Sequence, residues 1–229
     1  EVWKVVMRVA LFVEVYVPYI NGVVTHVKAL KDGLEKLGHK VLIVTADTKA
    51  RRHYQFRGVL HCPAMELKRI YGYGLASPIS RTRLKYLKNF NPDIIHIHTE
   101  FSIGLFGVMA AKTLNVPLVF TMHTMYDEYI YYVAPKPFYP AVKTASHSYA
   151  KFLSNQASAV TGPSAKVQQY LDQCGIEKDV HVIPNPVELD AFDASRFSES
   201  EKSALRKKLG FSEDESIVCF VGRQKKKKS

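Results

Sequence analysis

This 229-residue sequence has few cysteines, no long apolar run and no leader-peptide pattern. Its three cysteines are odd in number and widely separated, which excludes a disulfide framework and a zinc-binding cysteine spacing. Cys62, Cys174 and Cys219 lie in apolar contexts, so we predict buried free thiols in a reducing compartment. No apolar stretch approaches the roughly 18 residues of a membrane-spanning helix, and no cleavable leader is recognisable. We therefore expect a soluble or membrane-peripheral protein.

The common sequence signatures of nucleotide and ester chemistry are also missing. There is no P-loop, no GxGxxG follows the first apolar segment, and no GxSxG occurs anywhere. These absences argue against a nucleoside triphosphatase, a dinucleotide-dependent enzyme and an α/β-hydrolase.

Positive charge is in excess, with 32 Lys and Arg against 21 Asp and Glu. Part of the excess is the terminal run 225–228, and the rest clusters at 49–52, 68–69 and 81–85. Such patches attract nucleic acid, an anionic membrane surface or phosphorylated substrates, and a merely solvated basic face is the fourth interpretation. Composition alone leaves these four open. With 47% hydrophobic residues the chain can form an ordinary globular core.

Short β-branched apolar segments alternate with amphipathic helical patterns over most of the chain. After a first strand near residue 8, strands are predicted at 40–45, 59–62, 93–98, 116–121, 157–161 and 180–183. Helices are predicted between them, at 23–37, 79–89, 103–114, 141–154 and 165–173. This alternation indicates right-handed βαβ units, and hence an α/β fold with a doubly wound parallel sheet that helices cover on both faces.

The opening unit, 8–38, combines a buried strand, a turn and an amphipathic helix. The turn carries Pro18 and Asn21-Gly22, and apolar side chains recur every three or four residues in the helix. A turn through glycine into a helix leaves peptide N–H groups unpaired at the positive end of the helix dipole. The turn therefore suits a phosphate or another anion, although most such turns in α/β proteins bind nothing.

In a parallel sheet, ligands bind outside the carboxyl ends of the strands. That rule brings four segments that are distant in sequence to one edge: Asn21-Gly22, His98-Thr99-Glu100, His123-Thr124 and Pro163-Ser164. His123 can orient a sugar hydroxyl or polarise a reacting oxygen there, or it can merely tie down its own loop. His98 and Glu100 can offer hydrogen bonds to ligand hydroxyls.

A metal site is an alternative interpretation of the same edge. His96, His98 and Glu100 sit at two-residue steps, so a continued strand would place them on one face. Imidazole and carboxylate suit zinc or iron, which makes a metal-dependent hydrolase one alternative function. More ligands would be needed, and no Asp-His pair follows Glu100.

The pattern changes after Pro184-Asn185-Pro186. A charged helix is predicted at 199–209, and an apolar strand at 216–221 leads to Gly222-Arg223. We therefore expect an N-terminal domain at 1–186 and, at 187–229, a linker, a helix and the first strand of a truncated second domain. The segment EVWKVV before Met7 is expected to be an added extension or an extra strand.

Five ordered motifs resemble the amino-terminal half of family 4 glycosyltransferases: YVPYINGVVTHVKALKDGLEKLGHKV, NPDIIHIHTEFSIG, VPLVFTMHTMYDEY, AVTGPSAKVQQYL and VIPNPVELDAF. The resemblance is closest to bacterial diacylglycerol glucosyltransferases and covers 7–223. It implies one half of a GT-B fold, in which two Rossmann-like domains face each other across a cleft. In that fold the amino-terminal domain, here 1–186, would bind the acceptor, and the carboxyl-terminal domain, of which 187–229 would be the start, would bind the donor. It also implies retaining transfer of a hexose, expected to be glucose from UDP-glucose, to a diacylglycerol-type lipid. No bound metal and no cofactor are implied, since the nucleotide-sugar is a substrate.

The resemblance assigns roles to individual residues. Gly22, with Asn21 and Val23 beside it, would meet the donor diphosphate, and His123 would contact the transferred sugar. Arg223 and Lys228 match the Arg and Lys of a G-R-x-x-x-E-K motif that grips the diphosphate. Apart from the resemblance, the positions at strand ends and in the loop after 116–121 lead us to predict Tyr16, His98, Glu100, Tyr126 and Asp127 on the acceptor side and rim of the cleft. The helix that would face an anionic membrane carries Arg81, Arg83, Lys85 and Lys88.

Several positions depart from the family pattern. Where the family reads F-T-D-T-Y-x-P, Val13, Glu14 and Val15 replace two threonines and an aspartate, which favours strand stability over ligand contact. Gln224 stands for a leucine and Lys227 for the motif's glutamate. These changes predict a truncated or engineered half with negligible transferase activity and weak nucleotide affinity on its own.

Membrane docking accounts for the charge excess better than nucleic acid does, because no nucleic-acid motif accompanies the basic patches. We therefore expect a cytoplasmic protein, peripheral on the inner face of a bacterial plasma membrane, with a nucleotide-sugar and a lipid acceptor as partners. The exposed half-cleft could also pair two copies in a homo-oligomer. The main alternative to an enzyme half is a non-catalytic, stabilised half-domain scaffold.

Overall fold

The computed structural model describes residues 5–66, 73–128, 130, 134–186 and 192–221. The chain divides into two compact units, 1–186 and 187–229. The acceptor role assigned to the first unit and the donor role assigned to the second stay predictions. Within the described ranges, no helix combines the length and the apolar character that crossing a bilayer requires.

The first unit is built on a mixed sheet of nine described strands. In chain order these are β1 (Arg8–Val13), β2 (Lys40–Asp47), β3 (Tyr54–Phe56), β4 (Val59–Glu66), β5 (Gly74–Ala76), β6 (Ile94–Ile97), β7 (Leu118–Thr121), β8 (Ala159–Gly162) and β9 (Val180–Val182). They lie in the order β3-β4-β2-β1-β6-β7-β8-β9, and β5 pairs with β4 off this path. Only the β3–β4 and β4–β5 pairs among these are antiparallel.

Six helices of eight or more residues occur in the described parts of the chain. The first unit contains α1 (Gly22–Lys36), α2 (Arg81–Phe90), α3 (Ser102–Leu114), α4 (Tyr139–Gln156) and α5 (Lys166–Gln173), and the second contains α6 (Glu199–Leu209). Single 3-10 turns cover Tyr126–Glu128, Lys136–Phe138 and Ala194–Arg196.

The central strand β1 is buried on both faces of the sheet. Phe12 pairs with Ile97 of β6 and lies in the core that α3, α4 and α5 cover. Leu11, which points the opposite way, lies in the core that α1 covers. A strand buried on both faces must be apolar without interruption, which is why residues 9–13 carry no polar side chain.

The predicted α/β fold with a Rossmann-like parallel sheet is confirmed. The sheet is mixed at one edge because β3 and β5, which the sequence analysis missed, pair antiparallel with β4. Each is only three residues long and shows too little alternation to be recognised. The strand order reverses between β1 and β6, which is where such sheets open a crevice at the carboxyl ends of their strands.

The start of α3 is held by the side chain of Glu14, which follows β1. Glu14 Oε1 accepts a hydrogen bond from Ile103 N at 2.7 Å, and Oε2 accepts one from Ser102 Oγ at 3.0 Å. The Glu14 N–H donates to Thr99 Oγ1 at 2.9 Å. Phe101, at the N-cap position of α3, makes no side-chain capping bond. Glu14 is therefore a helix cap supplied from a distant part of the sequence, and not a ligand-facing residue.

Two glycines let α3 lie close against the sheet. A Cβ at position 104 would overlap the carbonyl oxygen of Thr99, and one at position 107 would lie 2.6 Å from Ile97 Cγ2. The backbone of Thr99 cannot move aside without disturbing the end of β6. Gly104 is therefore required by the close approach of two backbone segments.

The second unit departs from the prediction at its end. Its helix α6 has the predicted bounds and a capping box formed by Ser198 and Glu201. Residues 216–221 are not a strand, so the predicted first strand of a second domain is wrong for the described residues. A strand needs a hydrogen-bonded neighbour, and Val218 and Phe220 are 97% and 84% exposed. Cys219 is exposed as well, whereas Cys62 is buried and Cys174 half-buried, so only part of the thiol prediction is correct.

We expect Gly104→Ala to lower the free energy of unfolding by about 1–3 kcal/mol, because the added methyl group must displace backbone. Gly33→Ala is the matched control, since a Cβ at this α1 position meets nothing within 4 Å. The control should stabilise the protein by roughly 0.5–1 kcal/mol, as alanine replaces glycine inside a helix. Urea unfolding measures the free energy of unfolding of both variants. Equal changes in the two would contradict the close backbone approach that we assign to Gly104.

A second prediction concerns the pH dependence of the Glu14 cap. Burial, the largest effect, raises the pKa of Glu14 from 4.5 to about 7, against the opposing hydrogen bonds from Ile103 and Ser102. The raised pKa means that the stabilisation is fully present below pH 4.5 and is lost as the pH rises through 7. The unfolding free energy of the wild type, relative to Glu14→Gln, should therefore grow by up to roughly 3 kcal/mol from pH 8 to 4.5.

Urea unfolding at a series of pH values measures this difference, and Gly33→Ala, which changes no titratable group, serves as the control. A difference between wild type and Glu14→Gln that stays constant across the range would show that the carboxyl keeps its charge when buried.

Candidate functional site

The carboxyl ends of β1, β6 and β7 meet at one edge of the sheet, as predicted. The ladder continues past the strand ends, because His98 N donates to Phe12 O at 2.9 Å and Met122 N donates to Thr161 O at 3.0 Å. His98 and His123, which follow β6 and β7, thereby come together. His98 Nδ1 lies 3.3 Å from His123 Nε2 although 25 residues separate them.

Four histidines form a cluster at this edge. The ring centres of His96 and His98 are 4.0 Å apart, and those of His98 and His123 are 5.5 Å apart. His26, in the second turn of α1, places its ring 4.8 Å from that of His123 and 5.4 Å from that of His98. The cluster therefore joins the start of α1 to the ends of two strands.

Burial keeps these imidazoles neutral. It lowers the pKa of His96 and of His123 to about 3, and the neighbouring histidines lower both further. The pKa of His98 is held well below its ordinary value by burial and by the other three rings, and burial also lowers that of His26. Each ring consequently has one N–H donor and one acceptor nitrogen at neutral pH.

Hydrogen bonds fix the two outer rings of the cluster. His26 Nδ1 lies 2.8 Å from Asn185 Oδ1, an acceptor that follows β9. His96 Nε2 lies 2.6 Å from Thr121 Oγ1, which in turn lies 2.6 Å from Thr161 Oγ1. His98 Nε2, by contrast, is buried and has no hydrogen-bond partner within the described chain. His96 thus belongs to a polar ladder across β6, β7 and β8, whereas the other three rings face one another.

The start of α1 lies at the same edge. Asn21 caps the helix, because its Oδ1 accepts a hydrogen bond from Val24 N at 2.9 Å. A Cβ at Gly22 would meet nothing within 4 Å, so the space above the first turn is open. Helix geometry leaves the N–H groups of Gly22 and Val23 without an intrahelical acceptor. The first turn contains no acidic side chain that would compete with an anionic ligand.

Glu100 is buried behind the cluster rather than presented at its surface. Its carbonyl oxygen accepts a hydrogen bond from the Tyr149 hydroxyl. Burial raises the pKa of its carboxyl to about 7, and the neighbouring Tyr126 hydroxyl opposes that rise. Burial, with Glu100 beside it, also raises the pKa of Tyr126 above its ordinary value. These two predicted rim residues are therefore neighbours in the protein interior, although Glu100 Oε1 and the Tyr126 hydroxyl have no hydrogen-bond partner in the described chain.

Two other predicted rim residues are engaged by the protein itself. Tyr16 is 7% exposed and packs with the core that α1 covers. Asp127 Oδ1 accepts a hydrogen bond from His147 Nε2 at 2.9 Å, and Asp127 Oδ2 forms an ion pair with Lys143 Nζ at 3.0 Å. Because both partners lie on α4, Asp127 anchors the loop after β7. Arg223 and Lys228 lie outside the described residues.

The predicted membrane-facing helix is basic on its outer side only. Arg81, Lys85 and Lys88 of α2 are exposed. Arg83 is 1% exposed, so the prediction that it faces a membrane is wrong. Its guanidinium carbon lies 4.4 Å from the centre of the Phe106 ring, and Nη2 donates to Ser77 O at 3.0 Å. A cation–π contact and a carbonyl acceptor together allow this cation to be buried.

The metal site of the alternative function is not formed by the residues that the sequence suggested. His96 is engaged by Thr121, and the carboxyl of Glu100 adjoins Tyr126. Among the described residues, His26, His98 and His123 are the one group of three or more possible ligands that come close enough for an ion. Sequence reasoning missed His26 and Asn185. The available signal was the position of His26 four residues after Gly22, on the first turns of the helix at the crevice.

Comparison with known proteins identifies the family to which the chain is similar. The family model of Glycosyltransferase Family 4 matches residues 20–191. Alpha-monoglucosyldiacylglycerol synthase of Acholeplasma laidlawii is 32% identical over 97% of this chain and 57% of its own length. The synthase of the same name from Streptococcus pneumoniae is 31% identical over 95% of this chain and 49% of its own length. The chain thus spans about half the length of these curated relatives.

A solved structure agrees with the fold. The catalytic domain of starch synthase IV from Arabidopsis thaliana, bound to ADP and acarbose, superposes with a TM-score of 0.55. The superposition covers 92% of this chain and 60% of the starch synthase chain, at 20% sequence identity. At this identity the likeness concerns the fold alone. The match of the family model over most of the sequence, on a sheet of the expected topology, shows that this chain belongs to Glycosyltransferase Family 4.

Proposed function

We propose that this chain is the acceptor-binding half of a retaining glycosyltransferase. The reaction would move a hexose, expected to be glucose, from a nucleotide-sugar such as UDP-glucose to a diacylglycerol-type membrane lipid. The observation that carries the proposal is the family match combined with two relatives named as alpha-monoglucosyldiacylglycerol synthases. The geometry of the sheet edge is consistent with this chemistry at two points, and the surface of α2 at a third.

The first point is the donor diphosphate. The crevice between β1 and β6 opens beside the start of α1, where N–H groups of Gly22 and Val23 point outward at the positive end of the helix dipole. The open space above Gly22 lets a phosphate approach the backbone closely. Asn21 fixes the helix start through its cap and leaves these donors available.

The second point is the transferred sugar. His123 lies at the carboxyl end of β7 and is only partly exposed. Because burial holds its pKa near 3, it is a neutral hydrogen-bonding group and not a charged acid at neutral pH. Its Nε2 lies 3.3 Å from His98 Nδ1, and this contact fixes the orientation of the ring. The role we assign to His123 is to orient a sugar hydroxyl or the departing oxygen by hydrogen bonding.

The third point is the membrane. Arg81, Lys85 and Lys88 share the exposed side of α2, while Arg83 is turned inward. Each such cation near an anionic lipid surface contributes about 1 kcal/mol of attraction. The proposed location is peripheral, on the cytoplasmic face of a bacterial plasma membrane, where a lipid acceptor would be reached.

We expect His123→Asn, made in the natural protein that contains this chain, to lower kcat by about 10²-fold, which is typical for one lost hydrogen bond to developing charge. Transfer of labelled glucose from UDP-glucose to diacylglycerol in vesicles is the measurement. His181→Asn is the matched control, because His181 is exposed on β9 and lies outside the cluster. The 229-residue chain alone should show no turnover and only weak nucleotide binding.

Two results would contradict this proposal. If the natural protein glucosylated no lipid acceptor with any UDP-sugar, the substrate assignment would be wrong. If the 229-residue chain alone catalysed transfer, the proposal that acceptor and donor are bound by two separate halves would be wrong. A chain that binds neither vesicles nor UDP-sugar would instead favour the half-domain scaffold.

A separate prediction tests the basic side of α2. Changing Arg81, Lys85 and Lys88 together to serine should weaken binding to vesicles containing anionic lipid by about 10²-fold, since three charges of about 1 kcal/mol each are lost. The effect should fade as the salt concentration rises and the charges are screened. Vesicle sedimentation measures both.

The matched control removes the same charge elsewhere, by changing the exposed Lys40, Lys112 and Lys166 to serine. This variant should keep most of its vesicle binding. Equal losses in the two triple variants would mean that net charge, and not the α2 surface, attracts the chain to lipid.

A further inference from the structure

We propose that His26, His98 and His123 form a binding site for a divalent transition-metal ion of the zinc and cobalt class. The three residues come from α1, from the end of β6 and from the end of β7, and one possible ligand nitrogen of each lies within 4.8 Å of the others. The site differs from the His96–His98–Glu100 set that the sequence suggested, because His26 and His123 join His98 in place of His96 and Glu100.

The spacing of two of these nitrogens already fits a metal. Two nitrogens bound at 2.0–2.1 Å to one tetrahedral zinc ion lie about 3.3 Å apart. His98 Nδ1 and His123 Nε2 are 3.3 Å apart. Because all three ligand nitrogens lie within 4.8 Å of one another, the pairs that involve His26 would close by at most about 1.5 Å when an ion binds.

The contact of His26 with Asn185 also suits a metal-binding histidine. Asn185 Oδ1 lies 2.8 Å from His26 Nδ1, so this nitrogen donates the hydrogen and Nε2 keeps its lone pair. A carbonyl acceptor on the far nitrogen is the usual partner of a metal-binding histidine, because it fixes the tautomer and the orientation of the ring.

The cluster also has acceptor capacity that the protein does not use. Three neutral imidazoles carry three lone pairs, and His98 and His123 cannot both accept along their single 3.3 Å contact. With Nδ1 of His98 as a ligand, the hydrogen of this 1%-exposed ring lies on Nε2, which has no hydrogen-bond partner in the described chain. An ion accepts all three lone pairs at once, and a three-histidine set leaves a fourth position open for water.

Binding would have a structural and a functional consequence. An ion there would tie the start of α1 to the ends of β6 and β7. Because His123 is also the residue that we propose contacts the transferred sugar, the ion and the sugar would exclude each other. This second consequence rests on the proposed function, whereas binding of the ion does not.

Cobalt titration of the 229-residue chain, prepared without a polyhistidine tag, tests the site. We expect one Co²⁺ per chain, with the visible absorption of a four-coordinate site made of three imidazoles and one water, and displacement of that ion by Zn²⁺. His26→Asn and His123→Asn should each weaken binding at least 10-fold. His181→Asn, which changes the exposed histidine of β9, should leave the affinity unchanged.

Thermal unfolding without metal shows whether each variant is folded, and because two ligands are changed separately, one misfolded variant leaves the other informative. The proposal is overturned if Co²⁺ binding does not saturate at one ion. It is also overturned if His181→Asn loses as much affinity as the two ligand variants. Neither result depends on any transferase assay, so failure of the metal site and failure of the proposed function are distinguishable.

Discussion

The parallel pairing of β1 with β2 on one side and β6 on the other is the constraint on which the rest of the structure depends. It buries β1 on both faces, so the strand must be apolar throughout and can carry chemistry only beyond its end. It also makes the chain leave β1 toward one face of the sheet and leave β6 toward the other, which opens the crevice. The helix start at Gly22, His98 and Glu14 all take their places from this one arrangement.

Burial then decides what the polar residues at the crevice can do. The same desolvation that lowers the pKa of His96 and His123 raises the pKa of Glu14 and Glu100. Charges of both signs are disfavoured, so the edge of the sheet tends toward a neutral, hydrogen-bonding surface. Such a surface suits sugar hydroxyls, and in the function that we propose the positive charge for a diphosphate would come from peptide N–H groups at the start of α1. The two kinds of recognition would then lie side by side at one edge of the sheet.

Much of this organisation could be predicted from the sequence, because the apolar periodicities of strands and helices are strong and the carboxyl-end rule then groups distant residues. His98 and His123 were brought to one edge in this way. His26 and Asn185 were missed, since an asparagine between two prolines has no pattern that marks it as a partner, and the only signal for His26 was its place four residues after Gly22 on the helix at the crevice. Arg83 was placed on the wrong side of α2, because charge alone predicts exposure and the compensating Phe106 ring is distant in sequence. The strand predicted at 216–221 failed for a related reason, since an apolar segment forms a strand only where a neighbour can pair with it.

The cap that Glu14 provides for α3 has a consequence for how the protein assembles. Its two hydrogen bonds span 88 and 89 residues of chain, so the amino end of α3 cannot be completed until β1 has docked beside β6. Links of such long range cost loop-closure entropy before they return any stabilisation, and they slow folding. They also couple unfolding of the amino end of α3 to detachment of β1. We therefore expect the crevice to form late in folding and as one unit, so that a chain in which β1 has detached lacks the site altogether.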